Sequence, residues 1–184
     1  HHLITVLRGG IGTKAEFVLP DQHTVMLAEV VEIGDTTQMS IRDTYTVSVE
    51  LPVEATLIIG LAKGSKPELV IQKATELGVH HIVLVETAWS VVHWGDKAVK
   101  KIDRLQKIAQ GASEQSHRLV VPDIRYVDSL KKLDFFADAT MKIVAWEESA
   151  KKGETSELVR AFSKLQSGDH IIFLVGPEGG LKES

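Results

Sequence analysis

Residues 170–180, HIIFLVGPEGG, constrain this chain more than any other stretch. Residues 171–175 are an unbroken apolar run rich in β-branched side chains. That is the pattern of a strand buried on both faces, as in a parallel sheet. The run leads directly into Gly176-Pro177-Glu178-Gly179-Gly180. Glycine and proline at that density end the strand and make a tight loop whose backbone lies open. In open α/β sheets ligands dock at the carboxyl ends of the strands, where backbone N–H and C=O groups point outward. The loop therefore reads either as a turn into the next helix or as a ligand edge, and by itself it leaves both open.

The rest of the chain reads in two parts. Over residues 3–50, four short stretches are rich in β-branched and aromatic residues: 4–7, 15–19, 24–31 and 45–49. Turn signals separate them at Gly9-Gly10-Ile11-Gly12, Pro20-Asp21-Gln22 and Gly34-Asp35, a spacing that predicts a small β-barrel. Leu51-Pro52 ends this pattern, which places a domain boundary near residue 52 and divides the chain into 1–52 and 53–184.

Strands and helices then alternate. Residues 56–61 read as a strand and Lys63-Gly64 as a turn. A helix follows, with Ser65 and Glu68 as a capping box, Pro67 in the first turn and Gly78 past its end. Val70, Ala74 and Leu77 form its expected packing face. Residues 79–85, 119–124 and 141–146 read as further strands, and 97–116 as a long amphipathic helix with Ile102, Leu105, Ile108, Ala109 and Ala112 on its apolar stripe. A last helix starts at Thr155 or Ser156 and ends near Gln166. This order predicts a parallel or mostly parallel α/β sheet.

Composition excludes several classes of function. Cysteine is absent, so disulfides and thiolate metal sites are out, and a cytoplasmic home is the simplest fit. No apolar run approaches the ~20 residues of a membrane span. The net charge of −4 gives no global attraction to nucleic acid. Residues 51–125 nevertheless carry ten Lys/Arg against eight Asp/Glu, with the basic excess concentrated at 97–107, so RNA contact requires a local patch.

His80 and His81 are adjacent in a strand, face opposite sides and do not chelate together, and no metal site is expected. The phosphate loops and nucleophile elbow of common nucleotide-binding and hydrolytic enzymes are missing. Gln72, Lys73 and Glu76 share a helix face, and Glu114 and Arg118 are spaced i, i+4; both sets read first as solvated surface pairs. Trp146-Glu147-Glu148 ends a strand, either as a second wall of the glycine-loop cleft or as a tryptophan closing the core.

Four groups of residues, in order along the chain, carry a resemblance. They are residues 2–8, HLITVLR; Lys63-Gly64 with residues 72–79, QKATELGV; residues 112–118, ASEQSHR, with Pro122 and Ile124; and residues 176–181, GPEGGL. In these the chain resembles the RsmE-type ribosomal RNA methyltransferases, which methylate N3 of a uridine in small-subunit (16S) ribosomal RNA. The resemblance implies a PUA-like β-barrel for RNA over 1–52 and a SPOUT methyltransferase domain over 53–184. It also implies a C-terminal trefoil knot that binds S-adenosylmethionine, and a homodimer. Gly176, Pro177, Glu178, Gly179 and Gly180, with Trp146 and Glu147, would hold the cofactor. Arg8 and Arg118 are the candidates for phosphate contact, because an arginine fork matches a phosphate.

Two positions depart from the family pattern: Thr13, where relatives carry Asp, and Trp89, where they often carry Arg. The family's last motif, with an arginine thought to assist catalysis, falls beyond Ser184, so no catalytic residue is assigned. Starting at His1-His2 without Met and stopping where a helix should begin, the chain reads as a piece of a longer protein. Two other readings stand beside the methyltransferase: a non-catalytic RNA-binding or ribosome-assembly module of the same fold, and a nucleotide-binding α/β enzyme of unrelated chemistry. The missing phosphate loops argue against the second.

Overall fold

The computed structural model describes residues 2–87, 90–133, 138–145 and 157–177. The chain forms two compact units, His1–Val49 and Glu50–Ser184.

The first unit holds an antiparallel sheet of β1 (Lys14–Val18), β2 (Thr24–Ile33) and β3 (Thr37–Thr46), in the order β1-β2-β3. Asp21 closes the β1–β2 turn. Its carboxylate accepts the backbone N–H groups of His23 at 3.0 Å and Thr24 at 2.9 Å and the Thr24 hydroxyl at 2.5 Å. These bonds, the Thr24 hydroxyl foremost, hold the Asp21 carboxyl down at about 2. β2 buries Val25, Ala28 and Val30, and two irregularities in its pairing with β3 interrupt the ladder.

Two expectations are corrected here. Residues 4–7 are not a strand. His2–Val6 forms a π-helical turn, closed by the Gly9 N–H donating to the Leu3 carbonyl at 2.9 Å, with Arg8 at φ 56°. A Cβ on Gly9 would lie 2.9 Å from that same oxygen, so glycine is what lets the turn close. The last strand lies earlier than residues 45–49 because hairpin pairing, from Thr24↔Thr46 to Ile33↔Thr37, recruits a mostly polar stretch that has no apolar run to mark it.

The second unit is a five-stranded parallel sheet of β4 (Glu54–Gly60), β5 (His81–Val85), β6 (Asp123–Val127), β7 (Met141–Ala145) and β8 (His170–Val175), in the order β6-β5-β4-β8-β7. Ile82, Val83, Leu84 and Val85 are all buried, as continuous apolar strands in the middle of a covered parallel sheet must be. Alternation assigns the two faces. Ile82 and Leu84 pack with Ile71, Ala74, Leu105 and Ala109 of the helices, whereas Val83 and Val85 pack with Ile58, Ile172 and Leu133. The helices are α1 (Lys66–Glu76), α2 (Ala98–Gln115) and the short α3 (Glu157–Phe162). β6 begins later than expected. The Leu119 and Val120 amides bond to Glu50 instead of a strand, and Pro122 has no N–H to give.

α1 and α2 end alike. The Gly78 N–H reaches the Thr75 carbonyl and the Val79 N–H the Ala74 carbonyl, each at 3.0 Å, with Gly78 at φ 94°. His117 donates to Glu114 at 3.4 Å and Arg118 to Ser113 at 3.0 Å, with His117 at φ 55°. Both are Schellman caps, which satisfy carbonyls that the helix leaves over. At the other end of α1 the expected capping box does not form: the Ser65 hydroxyl makes no cap bond, and Glu68 pairs with Arg104 at 2.9 Å. Leu77 does not pack on the sheet but stands 75% exposed, while Ile71 and Thr75 are buried in its stead.

Arg118 clasps the two helix ends. Its side chain is only 5% exposed. It donates to Glu50 Oε2 from Nε at 3.0 Å and from Nη2 at 2.6 Å, and to the Thr75 and Val79 carbonyls from Nη1 at 3.0 and 2.7 Å. Glu50 Oε1 accepts the Leu119 and Val120 amides at 2.9 and 3.1 Å. Burial opposes ionisation of Glu50, but Arg118 and the two amides outweigh it and hold the carboxyl below its ordinary value. Beside them His80 is pushed below the ordinary imidazole value, by burial first and then by the Arg118 charge.

Arg118→Ala is therefore expected to lower the unfolding free energy by about 3–5 kcal/mol, because it leaves Glu50 charged, half-buried and unpaired. Denaturant titration measures this, and a loss under ~1 kcal/mol would mean that water replaces the guanidinium. Both shifts are downward, so their stabilisation is complete above the unfolded values and is lost on acidification. Loss begins near pH ~6.5 through His80 and deepens below ~4.3 through Glu50. Thermal melts across that range check the sign.

Candidate functional site at the carboxyl edge of the parallel sheet

From β4 the chain moves outward on one side to β5 and β6; β8 and β7 lie on the other. The strand order thus reverses between β4 and β8, and a crevice beyond the carboxyl ends at such a point is where α/β sheets bind ligands. Ile59 pairs with Val175 at that edge. β4 leaves through Gly60 and β8 through Gly176 and Pro177, with Pro177 buried. A Cβ on Gly60 would lie 2.4 Å from Pro177 Cδ and 2.5 Å from its nitrogen. Only a glycine lets the Gly176-Pro177 backbone come that close. The Leu61 N–H donates to the Val85 carbonyl at 2.9 Å, which fixes the exit of β4 toward β5.

Glu86 follows β5 at the same edge. Its carboxylate accepts the Trp94 N–H at 2.9 Å and the Tyr126 hydroxyl, and His93 Nδ1 lies 2.6 Å from its other oxygen. Burial works against this carboxylate, but the bonds from Tyr126, His93 and Trp94 leave it more acidic than usual. The Tyr126 hydroxyl is pushed up to about 12, by burial first and then by the Glu86 bond and charge. The Trp94 and Tyr126 rings stack with centroids 5.4 Å apart, and Lys101 Nζ sits 4.9 Å over Trp94. Next along, the Thr87 N–H donates to Ser90 Oγ at 2.8 Å and the Ser90 N–H to the Thr87 carbonyl at 3.0 Å. One carboxylate thereby ties the end of β5 to His93, Trp94 and Tyr126.

Of the residues expected from the sequence, Gly176 and Pro177 lie at this edge, where β8 ends. Glu178, Gly179, Gly180, Trp146 and Glu147 lie outside the described residues, as does Trp89. Arg8 is exposed in the first unit. Arg118 is the correction: its donors are spent inside the second unit, so it positions the helix ends and is not available to a phosphate. Its expected surface partner Glu114 accepts from Gln110 instead, at 3.0 Å. Gln72, Lys73 and Glu76 do form a surface group, with Glu76 accepting from Gln72 at 3.0 Å and Lys73 at 2.7 Å. Among the described residues no group of three His, Cys, Asp or Glu could hold a metal ion, and no helix is long and apolar enough to cross a membrane. Sequence reasoning missed Gly60, although a glycine closing a strand was a usable signal. It also missed the Glu86 cluster, for which no local pattern exists because Tyr126 lies 40 residues away.

Comparison with known proteins gives this edge its context. The model of the RNA methyltransferase domain matches residues 49–184. Over its whole length the chain is 36% identical to the Bacillus subtilis Ribosomal RNA small subunit methyltransferase E, of which it covers 73%. The protein belongs to the RsmE-type RNA methyltransferases. The Borreliella burgdorferi Ribosomal RNA small subunit methyltransferase E 2 is 29% identical, with 100% of this chain and 73% of that one covered. Among solved structures, the Ribosomal RNA small subunit methyltransferase E from Neisseria gonorrhoeae, bound to S-adenosyl methionine, superposes with a TM-score of 0.78 at 26% identity, covering 99% of this chain and 72% of that one. A Legionella pneumophila methyltransferase in complex with the same cofactor gives 0.79 at 25% identity, with the same coverage.

In this RsmE-type chain Glu86 is expected to act as the organiser of the edge. Glu86→Gln should lower stability by about 1–3 kcal/mol through its weakened hydrogen bonds. It should also lower the Tyr126 pKa from about 12, which an NMR titration of the tyrosine ring carbons reads directly. An unmoved Tyr126 titration would show that burial alone sets it.

Proposed function

We propose that this protein methylates N3 of a uridine in small-subunit (16S) ribosomal RNA, using S-adenosylmethionine bound at the β4–β8 crevice. Similarity along the whole chain to a ribosomal RNA small subunit methyltransferase E carries the reading. The crevice fits it independently. Gly60, Gly176 and Pro177 bring two strand exits within a separation that any side chain on Gly60 would abolish, which keeps those exits together at the edge where α/β sheets bind ligands. We further propose a PUA-like barrel in the first unit with Arg8 on RNA phosphate, a knotted C-terminal segment, a homodimer and a cytoplasmic location, all of which rest on the family resemblance.

When bound, S-adenosylmethionine supplies a methyl group on a positively charged sulfur. The chain's part is to hold and align the two reactants and exclude water. Uridine N3 carries a proton that has to leave before the nitrogen has a lone pair to give, so the site needs a base or a cation near the uracil. Glu86 is a poor base, because its oxygens are engaged by Tyr126, His93 and Trp94 and its basicity is lowered. It orders the strand exit instead. Gly60, Gly176 and Pro177 would present backbone to the cofactor.

Calorimetry with S-adenosylmethionine and methylation of 16S ribosomal RNA or small subunits test the proposal. Cofactor binding with transfer to uridine N3 is expected. Binding of RNA without transfer would favour the assembly-module reading, and absence of cofactor binding would overturn the methyltransferase. Gly60→Ala should weaken S-adenosylmethionine roughly tenfold or more, since displacing Pro177 removes one or two backbone bonds worth about 0.5–1.5 kcal/mol each. Arg8→Ala should lower methylation while leaving cofactor affinity unchanged; a fall in both would give Arg8 a structural role.

A further inference from the structure

Five cations line one flank of α2 and the turn before it: Lys97, Lys100, Lys101, Arg104 and Lys107. Between residues 97 and 107 they face a single acid, Asp103. At ~100° per residue they span about a third of the helix circumference, centred away from the buried stripe of Ala98, Leu105, Ala109 and Ala112. All five are exposed. Arg104 pairs with Glu68, and Lys101 lies over Trp94. Among the described residues Lys97, Lys100 and Lys107 make no ion pair, although Asp96 and Asp103 are their near neighbours in sequence.

The placement of this charge is costly. Three of the five cations, Lys97, Lys100 and Lys101, sit at the cap and first turn of an 18-residue helix, whose first turn has no acid and whose cap position has no side-chain bond. That end already carries the positive pole of the helix dipole, which disfavours cations there. A solvated face would place acids here and lysines at the other end. The stripe is also tethered to the crevice. The Lys97 N–H donates to the Trp94 carbonyl at 3.0 Å, Lys101 covers the Trp94 ring, and Trp94 donates to Glu86 at the end of β5.

We propose that this stripe is a phosphate-binding track, which holds the RNA backbone flanking the target nucleotide as that nucleotide enters the β4–β8 crevice. The inference rests on the RNA-methyltransferase reading above. It assigns the contact to the second unit's own surface, separate from Arg8. The ligand chemistry is a polyanion with regularly spaced phosphates: lysines at positions 97, 100 and 107 spread charge along the helix, and point charges without fixed geometry suit backbone gripping without base readout.

Because such contacts release counterions, salt dependence is the diagnostic measurement. The slope of log K against log salt falls by about 0.7–0.9 for each phosphate contact removed. The triple variant Lys97→Gln/Lys100→Gln/Lys107→Gln, in the full chain, should bind a 16S ribosomal RNA fragment at least roughly tenfold more weakly at ~0.15 M salt, with a slope shallower by about two to three. Its S-adenosylmethionine affinity and melting temperature should be unchanged. The control Lys142→Gln/Lys164→Gln neutralises exposed lysines elsewhere and should leave the slope where it was. A wild-type slope in the triple variant, with wild-type RNA binding intact, would overturn the track and leave the methyltransferase reading standing. An equal loss in the control would reduce the stripe to net charge, which also overturns it. Absence of cofactor and RNA binding in the wild type would instead sink both.

Discussion

The second unit depends on one buried guanidinium. Arg118 reaches from the cap of α2 across to the cap of α1, where it binds the Thr75 and Val79 carbonyls, and pairs with Glu50 in two places. Glu50 in turn holds the amides that lead into β6. Five backbone partners around one ion pair, the Thr75, Gly78 and Val79 carbonyls and the Leu119 and Val120 amides, make this an expensive arrangement to bury and a more expensive one to break. Its return is geometric. With both helix ends and the entry to β6 fixed against each other, α1 and α2 have one seat on β5, and the carboxyl edge is held from behind. No simple apolar substitute would satisfy the same carbonyls and amides.

At that edge two devices of opposite chemistry shape the site. Gly60 acts by having nothing: the missing Cβ lets Pro177 approach to a separation that side chains forbid. Glu86 acts by having everything engaged, with three donors converging on one carboxylate. The first holds the exits of β4 and β8 together, and the second ties the end of β5 to His93, Trp94 and Tyr126. A preformed edge of this kind lowers the ordering cost of binding, which otherwise subtracts from affinity. The charged stripe on α2 begins from the same organised segment, so charge, ordering and crevice share one structural origin.

Where local chemistry and pairing agreed, the sequence was readable. The 171–175 run became β8 and the α2 stripe packed on the sheet, because apolar periodicity is set by the backbone repeat and survives any tertiary arrangement. Gly78 became a left-handed cap, since no other residue takes φ 94° cheaply. The failures have equally local causes. Residues 4–7 have strand propensity without a strand partner in the described sheet, and closed into a helical turn through Gly9. Ser65 and Glu68 had capping-box spacing, but Arg104 offered Glu68 a charge. Leu77 fell on a plausible helical face yet lies where the Schellman cap turns the chain outward.

By itself the sequence determined the alternation of strands and helices, the glycine-rich exit of β8, the local basic excess and, through ordered motifs, the family. These are properties of neighbours along the chain, or of motif order, and need no knowledge of what meets across space. Only the tertiary structure decided that Arg118 faces inward, that Gly60 packs against Pro177, and that Glu86 gathers Tyr126, His93 and Trp94. Each of those depends on residues tens of positions apart being brought within hydrogen-bond or van der Waals reach. An exposed arginine and a buried one have the same sequence neighbours; the carboxylate and carbonyls that distant parts of the chain deliver decide which it is.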